Sequence, residues 1–434
     1  MYCANTICFK SKCVNLCLWC NLLINCLFFF IFANAYNKLC NYTKAMSENT
    51  DVTLRLPNIT FEMPITDSIM ELEKLRYKLL RGTTHPNVFF QLRHIFHMIE
   101  SIGSSRIEGN NTTVMDYVET AKLQNQSSFL FNNEENIREI QNVERAMNYI
   151  EQNIADIVID KKFIRELHTL TVTGLSANRE GAANPGQFRQ RDVRISGSTH
   201  IPPSYMQVEP LMDDLIRFVN TETAPKYDLL KIAISHHRFV WIHPFENGNG
   251  RVVRLFTYAL LMKYIFRSNE RIINPTAVFC SNRKKYYDYL SKADTGTDEG
   301  LIEWAQYVLS GLKTEIEKID KLVDYKYLQD QILYPALVDA FNNKYITPLE
   351  QSVLKIAVSK QEIQAGDIKP VLTGKTGSEI SRIIRGLIDK KMLCPIREGA
   401  RKYTIAFSNN LLLRSMLKML DKNDFLPHNN YTVG

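Results

Sequence analysis

The segment that most constrains the fold is residues 243–254, which read HPFENGNGRVVR. Apolar residues recur at helical spacing on both sides of it. These patterns predict one helix that ends at about Ile242 and a second that begins at about Asn249. Gly248 and Gly250 permit positive φ and a close approach of the backbone. The segment therefore predicts a tight turn between two helices, with a histidine at the end of the first.

The start of the second helix is suited to an anion such as phosphate. Its backbone N–H groups and the positive end of its dipole point to one place. Arg251 and Arg254 are three residues apart and share one face of its first turns. An arginine is unfavourable near a helix N-terminus unless an anion accompanies it, so the pair indicates an anionic partner. His243 can take up a proton near pH 7 and adds acid–base chemistry to the same turn.

A purely structural explanation of this segment also has to be weighed. A buried histidine that caps a helix end, beside two solvated arginines, would explain any one of these residues alone. It does not explain a histidine, a Gly-Asn-Gly turn and two arginines at this spacing together. A generic glycine-rich phosphate loop is disfavoured because the segment contains neither GK[ST] nor GxGxxG.

Residues 243–254 resemble the motif HPFx[D/E]GNGRxxR of the Fic (Fido) family, and they depart from it at one fixed position, Asn247. The resemblance extends over roughly residues 60–320. It implies a mainly α fold, in which a Fic helical core with a β-hairpin flap follows an N-terminal helical region and precedes a C-terminal winged helix-turn-helix. It also implies an enzyme that transfers AMP from ATP to a hydroxyl side chain of a target protein.

The resemblance assigns roles to the residues of the turn. His243 would be the general base that deprotonates the Ser, Thr or Tyr hydroxyl of the target, which then attacks the α-phosphate. The other motif residues would bind the phosphates of ATP, with Gly248, Asn249 and Gly250 as an anion hole and Arg251 and Arg254 on the phosphate chain.

Asn247 stands where the family usually has an Asp or Glu that binds Mg²⁺. An Asn oxygen can still bind a metal ion but adds no charge, so the affinity or the geometry of such a site stays open. Glu246 is adjacent, yet we expect its side chain to point elsewhere. The expected cofactor set is ATP with Mg²⁺, and Asn247 is the expected metal ligand.

Residues 174–205 predict a long surface loop with a β-hairpin. They are punctuated by Gly and Pro, and the run 189–195 alternates like a short strand. The following part resembles the flap of the family, which covers the nucleotide and aligns the target by strand addition. The flap residues that the resemblance assigns to the nucleotide are Gly197, Ser198, Thr199 and His200.

Residues 284–290 resemble the segment that lines the adenine pocket in the family. Tyr286 and Tyr287 are the candidate pocket residues. An ordinary helix core explains each of these tyrosines equally well, so both explanations stay open.

Residues 104–110 match the inhibitory motif [S/T]xxxE[G/N] of the family through Ser104, Glu108 and Gly109. Outside that family the same residues would only indicate a helix end with a glycine cap. The resemblance implies that Glu108 pairs with Arg254 and takes the space that the γ-phosphate needs. The chain would then inhibit itself.

Residues 346–410 predict a separate winged helix-turn-helix module. Thr347-Pro348-Leu349-Glu350 is typical of a helix start. Two short helices, a third helix through Ile380 and Ile384, and two strands around Gly399 complete the pattern. The basic residues of the third helix and its end indicate either DNA binding or a solvated helix face; they are Lys375, Arg382, Arg385, Lys390 and Lys391.

The first 45 residues differ from the rest of the chain. Seven of the nine cysteines lie there, together with four lysines and no acidic residue. The remainder is Cys-poor, which excludes a disulfide framework and fits a reducing compartment. Three interpretations of this leader compete: a signal peptide, a membrane anchor and an extension from an upstream start codon. We favour the last, with translation from Met46 and no membrane association.

The predicted organisation has four parts. They are a leader (1–45), an N-terminal helical region with the inhibitory motif (46–150), a Fic core (151–325) and the winged helix (346–410). The predicted function is a cytoplasmic protein adenylyltransferase that modifies an unknown target and itself. The alternatives are a Fic variant that uses another nucleotide or removes AMP, and a nucleotide-sensing regulator that binds DNA. A homodimer is among the expected partners.

Overall fold

The structure, a computed structural model, describes residues 54–77, 82–123, 131–266 and 272–426. These residues belong to one compact unit that begins at Leu54. The predicted leader, 1–45, lies outside the described residues. No helix in the described ranges is long and apolar enough to cross a lipid bilayer.

The described chain is mainly α-helical, as predicted. The helices are α1 (Pro64–Tyr77), α2 (Pro86–Ile107), α3 (Val114–Leu123), α4 (Phe131–Asn153), α5 (Lys161–Val172), α6 (Tyr205–Asn220), α7 (Asp228–Ile242), α8 (Asn249–Leu260), α9 (Thr276–Cys280), α10 (Arg283–Ala293), α11 (Asp298–Asp320), α12 (Tyr325–Tyr327), α13 (Tyr334–Asn342), α14 (Pro348–Lys360), α15 (Ala365–Ile368), α16 (Gly377–Asp389) and α17 (Asn410–Lys422). Short π-helices follow α8 (Leu261–Ile265) and α12 (Leu328–Leu333), and 3-10 turns span Pro225–Tyr227, Lys321–Val323 and Lys369–Val371.

Helices α7 and α8 form the centre of the fold. Nearly every residue of both helices is buried, which is the pattern of a helix enclosed by others on all sides. They pack against each other, α7 also packs on α6 and α11, and α8 packs on α4 and α5. The Trp304 indole of α11 donates a hydrogen bond to the Ala233 carbonyl of α7 at 2.7 Å. The turn between these two helices is therefore held by a rigid surround.

Helix α2 connects this centre to the C-terminal module. Val88 and Leu92, in its first turns, share one apolar core with the strands and helices of that module. The Gln91 amide bonds the Ile405 carbonyl at 3.0 Å and the Phe407 N–H at 2.7 Å. The other end of α2 reaches the turn between α7 and α8, so one 22-residue helix spans both regions.

The predicted winged helix-turn-helix is present. A capping box of Thr347 and Glu350 starts α14, and a second one, of Thr376 and Glu379, starts α16. Strands β1 (Leu393–Pro395) and β2 (Tyr403–Ile405) then pair antiparallel. Local capping and turn signals define these elements, which explains why the sequence pattern found them.

The β-hairpin expected within residues 174–205 is not formed, and that expectation was wrong. In the described chain the only paired strands are β1 and β2. The backbone of this loop bonds other partners: the Arg189 N–H donates to the Pro244 carbonyl at 2.9 Å, and the Tyr205 N–H donates to the Asp192 carboxylate at 2.8 Å. Pro202 and Pro203 have no N–H to contribute to a strand ladder.

Candidate active site

His243 lies at the end of α7, where the sequence pattern expected it. Its backbone is left-handed, with φ 51° and ψ 62°, and its N–H bonds the Phe239 carbonyl. A non-glycine residue in this conformation costs about 1–2 kcal/mol. The surrounding contacts must offset that cost.

Arg189 supplies those contacts. Its Nε donates to the His243 carbonyl at 2.9 Å, and its Nη2 donates to the Ile242 carbonyl at 3.4 Å and to the carbonyl of Pro203. The side chain is buried, and burial lowers the pKa of its guanidinium. The Ile242 and His243 carbonyls belong to the C-terminus of α7, which leaves them without intrahelical partners and attracts a cation. Arg189 was not among the predicted site residues.

The His243 imidazole is neutral at physiological pH. Burial lowers its pKa to about 4, the Val240 carbonyl opposes the shift, and the Arg189 charge favours it. Its Nδ1 atom is buried and has no hydrogen-bond partner among the described residues. A neutral imidazole with a lone pair is the form that a general base requires.

The turn after His243 is braced by its own side chains. The Asn249 amide both accepts from the Phe245 N–H at 2.9 Å and donates to the Phe245 carbonyl at 2.8 Å. His168, which was not predicted, stacks on the Phe245 ring at 3.8 Å. Gly248 has φ 77°, and a Cβ added to it would lie 3.1 Å from the side chain of Val172. Asn249, one of the three predicted anion-hole residues, thus uses its side chain to hold the turn. Only its backbone N–H is left to contact a ligand.

Glu108 occupies the start of α8. Its Oε1 accepts a hydrogen bond from Arg254 Nη2 at 2.7 Å, and a Cβ added to Gly250 would lie only 2.0 Å from this oxygen. Arg254 also bonds the hydroxyl and the carbonyl of Ser104, each at 2.8 Å. Gly109 ends the preceding helix turn with φ 109°. The expected Glu108–Arg254 pair is present, through one carboxylate oxygen.

The charge of Glu108 is maintained by this contact. Burial alone would raise its pKa, but the charge and hydrogen bond of Arg254 outweigh that effect, so the pKa lies below its ordinary value. The carboxylate therefore lies as an anion against the helix N-terminus where phosphate was expected.

Arg251, the other predicted phosphate ligand, is fully buried and paired within the chain. Its Nη2 donates to the carboxylate of Glu180 at 2.8 Å and to the Glu180 carbonyl at 2.7 Å. Its Nη1 lies 3.3 Å from Oε1 of Glu139. Burial raises the pKa of both glutamates, and the Arg251 charge opposes this shift. Neither glutamate was predicted from the sequence.

Asn247 does not fit the Mg²⁺ ligand that was expected. Its Oδ1 accepts from the Gly248 N–H at 2.8 Å, and its Nδ2 donates to the carbonyls of Arg179 at 2.5 Å and Gly181 at 3.2 Å. The oxygen and the nitrogen of the amide thus both form hydrogen bonds within the protein, and these bonds hold residues 179–181 against the turn. No cluster of three or more His, Cys, Asp or Glu in the described ranges could hold a metal ion. Glu246 points away, as expected, and pairs with Arg191 at 2.9 Å.

The expected flap residues form a turn beside α7. Gly197 has φ 74°, and the Ser198 hydroxyl accepts from the His200 N–H at 3.1 Å. The His200 ring bonds the Trp241 carbonyl at 2.8 Å, which attaches the turn to the last residues of α7. Thr199 is exposed.

The two candidate adenine-pocket tyrosines differ. Tyr286 is buried, and its hydroxyl bonds His236 at 2.9 Å, as expected of a core residue; burial also raises the pKa of this hydroxyl. Tyr287 is 42% exposed, with its ring 5.2 Å from that of Tyr286. Of the two, only Tyr287 presents a ring to solvent.

Comparisons with known proteins agree with the motif. Residues 158–261 match the model of the Fic/DOC family. The protein adenylyltransferase Fic of Aedes aegypti is 32% identical over 211 residues, which cover 47% of this chain and 37% of that protein. The protein of the same name from Drosophila melanogaster is 34% identical over 213 residues, 48% of this chain and 38% of that protein. The match thus spans less than two fifths of the length of these curated relatives.

Solved structures that resemble this chain have lower sequence identity to it than these relatives have. A Fic family protein from Desulfovibrio desulfuricans has 19% identity and a TM-score of 0.48, and the alignment covers 81% of this chain and 98% of that one. Fic-1 of C. elegans has 18% identity and a TM-score of 0.45, with 59% and 70% of the two chains covered.

Proposed function

We propose that the chain is a Fic-family protein adenylyltransferase that uses ATP and modifies a hydroxyl of a target protein and of itself; the match of residues 158–261 to the Fic/DOC family model supports this proposal. One observation supports this most: the neutral imidazole of His243 adjoins a helix N-terminus at which Gly250 and Arg254 already hold an anion, Glu108. A base beside an anion site is what transfer from a nucleotide phosphate requires.

In the proposed reaction His243 takes the proton of the target hydroxyl. The hydroxyl oxygen forms a bond to the α-phosphorus of ATP, and the bond from that phosphorus to the pyrophosphate oxygen breaks. The N–H groups at the start of α8 and the Arg254 guanidinium stabilise the charge of the phosphates. No step is assigned to a metal ion, because the oxygen and the nitrogen of the Asn247 amide are both hydrogen-bonded to the protein backbone.

The proposed enzyme is inhibited by its own Glu108. The carboxylate lies on Gly250 and bonds Arg254, which are the groups that the phosphates need. Phosphate and carboxylate cannot occupy this place together. Activation therefore requires Glu108 to leave.

The test follows transfer from ATP labelled at the α-phosphate. We expect little label in the wild-type protein and about tenfold more, or greater, in Glu108→Gly, because a charge-assisted hydrogen bond contributes about 1.5–3 kcal/mol. Glu108→Gln keeps the volume and removes the charge, so it should label at an intermediate level. Equal, low labelling of all three forms would contradict autoinhibition.

The base is tested in the activated background. His243→Ala in the Glu108→Gly protein should reduce labelling by about 10²–10⁴-fold, the usual contribution of a general base. Persistent transfer would remove His243 from this role. ATP labelled at the γ-phosphate serves as the control, since label from it would indicate phosphate transfer. Unlabelled UTP that competes as well as ATP would indicate a different nucleotide.

We also propose that the protein acts in the cytoplasm. The two described cysteines, Cys280 and Cys394, are free thiols, as is usual in a reducing compartment. Because Cys280 is buried, alkylation is measured in denaturant after acid quench of cells; thiols that resist alkylation there until a reductant is added would contradict this proposal.

A further inference from the structure

The basic side chains of the winged-helix module fall into two classes. The first class is neutralised by carboxylates of the same protein. Its ion pairs are Lys360–Asp367 at 2.5 Å, Lys375–Glu379 at 3.1 Å, Lys390–Glu350 at 2.6 Å and Lys402–Glu362 at 3.0 Å. Two of the lysines that the sequence pattern had counted as a basic surface, Lys375 and Lys390, therefore already have counter-charges.

The second class has no such partners; it includes the lysines Lys355, Lys369 and Lys391 and four arginines that lie on one helix and one loop. Arg382 and Arg385 lie on α16, and Arg397 and Arg401 lie in the loop that joins β1 to β2. All four are exposed, and none forms an ion pair with another residue in the described part of the chain. The one acidic residue of that loop is Glu398, which is exposed as well.

The arginines of α16 lie on a face that packs on nothing in the described residues. Ser378, Ser381, Arg382 and Arg385 are exposed, and their spacing of three and four places them on one side of the helix. Ile380, Ile384 and Leu387 are buried on the other side. The outer face thus combines small polar residues near the helix start with two arginines one turn further on.

The loop between the strands, here called the wing (residues 396–402), is fixed beside the module. The Ile396 N–H bonds the Lys402 carbonyl at 3.1 Å, and Gly399 turns the chain with φ 72°. The Asn87 side chain of α2 donates to the Ile396 carbonyl at 3.1 Å, so the base of the wing is attached to the helical body. Arg397 and Arg401 remain exposed on it.

We propose that α16 and the wing together form a binding site for duplex DNA, independent of adenylyl transfer. A helix preceded by a helix–turn unit enters the major groove with the residues of its first turns, and Ser378, Ser381, Arg382 and Arg385 occupy that position. Arg397 and Arg401 would contact the flanking phosphates. A protein partner would require apolar surface at the centre of the contact, and this face of α16 has none.

The test uses the full-length protein and a fluorescein-labelled 20-base-pair DNA duplex of mixed sequence, with anisotropy measured at several NaCl concentrations. Two arginine–phosphate contacts, from Arg397 and Arg401, predict a slope of log K against log salt of about −2, and Arg397→Gln with Arg401→Gln should make the slope nearly flat. Arg382→Gln with Arg385→Gln should weaken binding at least tenfold at low salt and change the slope much less.

The matched control removes the same number of positive charges where they are paired. Lys360→Gln with Lys418→Gln breaks two exposed ion pairs, to Asp367 and to Asp339, and should change DNA affinity less than twofold. Equal loss in this control, or no binding at 50 mM salt, would overturn the proposal. Tighter binding of an RNA duplex of the same sequence would overturn the assignment to DNA.

A second control separates this site from the catalytic turn. His243→Ala should bind the duplex as tightly as the wild type does. The DNA measurement therefore stands whether or not adenylyl transfer is detected.

Discussion

The turn between α7 and α8 and the winged-helix module both carry clustered arginines, but the surroundings of the two clusters are opposite. Arg251 and Arg254 are buried, and the carboxylates of Glu139, Glu180 and Glu108 neutralise them. The arginines of α16 and the wing are exposed and have no carboxylate partner among the described residues. A buried charge is costly without a partner, whereas an exposed charge is solvated. The buried arginines therefore depend on carboxylates of the same chain, and the exposed arginines need no such partner.

After the loss of the base, the largest effect is expected from Gly250→Ala in the Glu108→Gly background. The added Cβ would occupy the space over the helix start that the Glu108 oxygen fills in the wild type. It would also block a phosphate, and we expect labelling from α-labelled ATP to fall about a hundredfold, as when one anion-hole donor is lost. Gly386→Ala in α16 is the control, since a Cβ there meets nothing within 4 Å. Unchanged labelling in Gly250→Ala would place the phosphates elsewhere.

A smaller gain is expected from Glu180→Gln in the same background. The change removes a carboxylate that competes with phosphate for Arg251. The Glu180 side chain is 36% exposed, so solvent weakens the pair to about 1 kcal/mol, or about fivefold in labelling rate. Glu246→Gln, which breaks only the surface pair with Arg191, should leave the rate unchanged. A fall in Glu180→Gln would show that Glu180 positions Arg251 and does not compete for it.

Asn247→Asp tests the departure from the family motif. The carboxylate cannot donate to the carbonyls of Arg179 and Gly181 and keeps only the bond from the Gly248 N–H, so one of its oxygens becomes available to a metal ion. We expect Asn247→Asp to bind Mg²⁺ about threefold more tightly than the wild type in calorimetric titration without nucleotide, the gain from one partly exposed charge. Asn247→Ala, which breaks the same bonds without adding charge, is the control. An unchanged Mg²⁺ affinity would contradict this expectation.

The smallest effect is expected from pH. With a pKa of about 4, His243 is still about nine-tenths neutral at pH 5. Its imidazole resonances, identified by their loss in His243→Ala, should keep the neutral NMR shift from pH 7.5 down to about pH 5. A midpoint near pH 6.5 would contradict the burial of the ring.

The lowered pKa of His243 also predicts how the free energy of unfolding depends on pH. An unfolded histidine titrates near 6.5, so between pH 4 and 6.5 the unfolded chain binds more protons than the folded one at His243 and at His168, whose pKa burial also lowers to about 4. These two residues should make the free energy of unfolding rise with pH across that window and become level above it. Urea titration of wild type and of His168→Gln at pH 5 and 7.5 measures this contribution.

Local signals were sufficient for the helices that form the turn and for the winged-helix module. The apolar pattern placed the end of one helix at Ile242 and the start of the next at Asn249, where the structure has them. The Thr347 start of α14 is likewise a local capping box. Both signals lie within a few residues of the feature that they predict.

Contacts between distant residues could not be read from the sequence. Glu180 bonds Arg251 across 71 residues, and Arg189 bonds the His243 carbonyl across 54. The alternation of 189–195 looked like a strand, but Pro244 took the Arg189 N–H that a hairpin would have used. The alternation gave no hint of this role, because Arg189 shares its face of the expected strand with Arg191 as well as with Val193 and Ile195.

Glu108 on Gly250 can also be described as a tethered ligand of the site. Because it belongs to the same chain, dilution does not weaken its binding, and its effective concentration is set by the helix that carries it. The apparent dissociation constant of ATP then equals the intrinsic constant divided by the fraction of molecules in which Glu108 is displaced. The first turns of that helix are fixed to the winged-helix module through Asn87 and Gln91. If the chain binds ATP as proposed, its nucleotide affinity is thus a property of this tether as much as of the pocket.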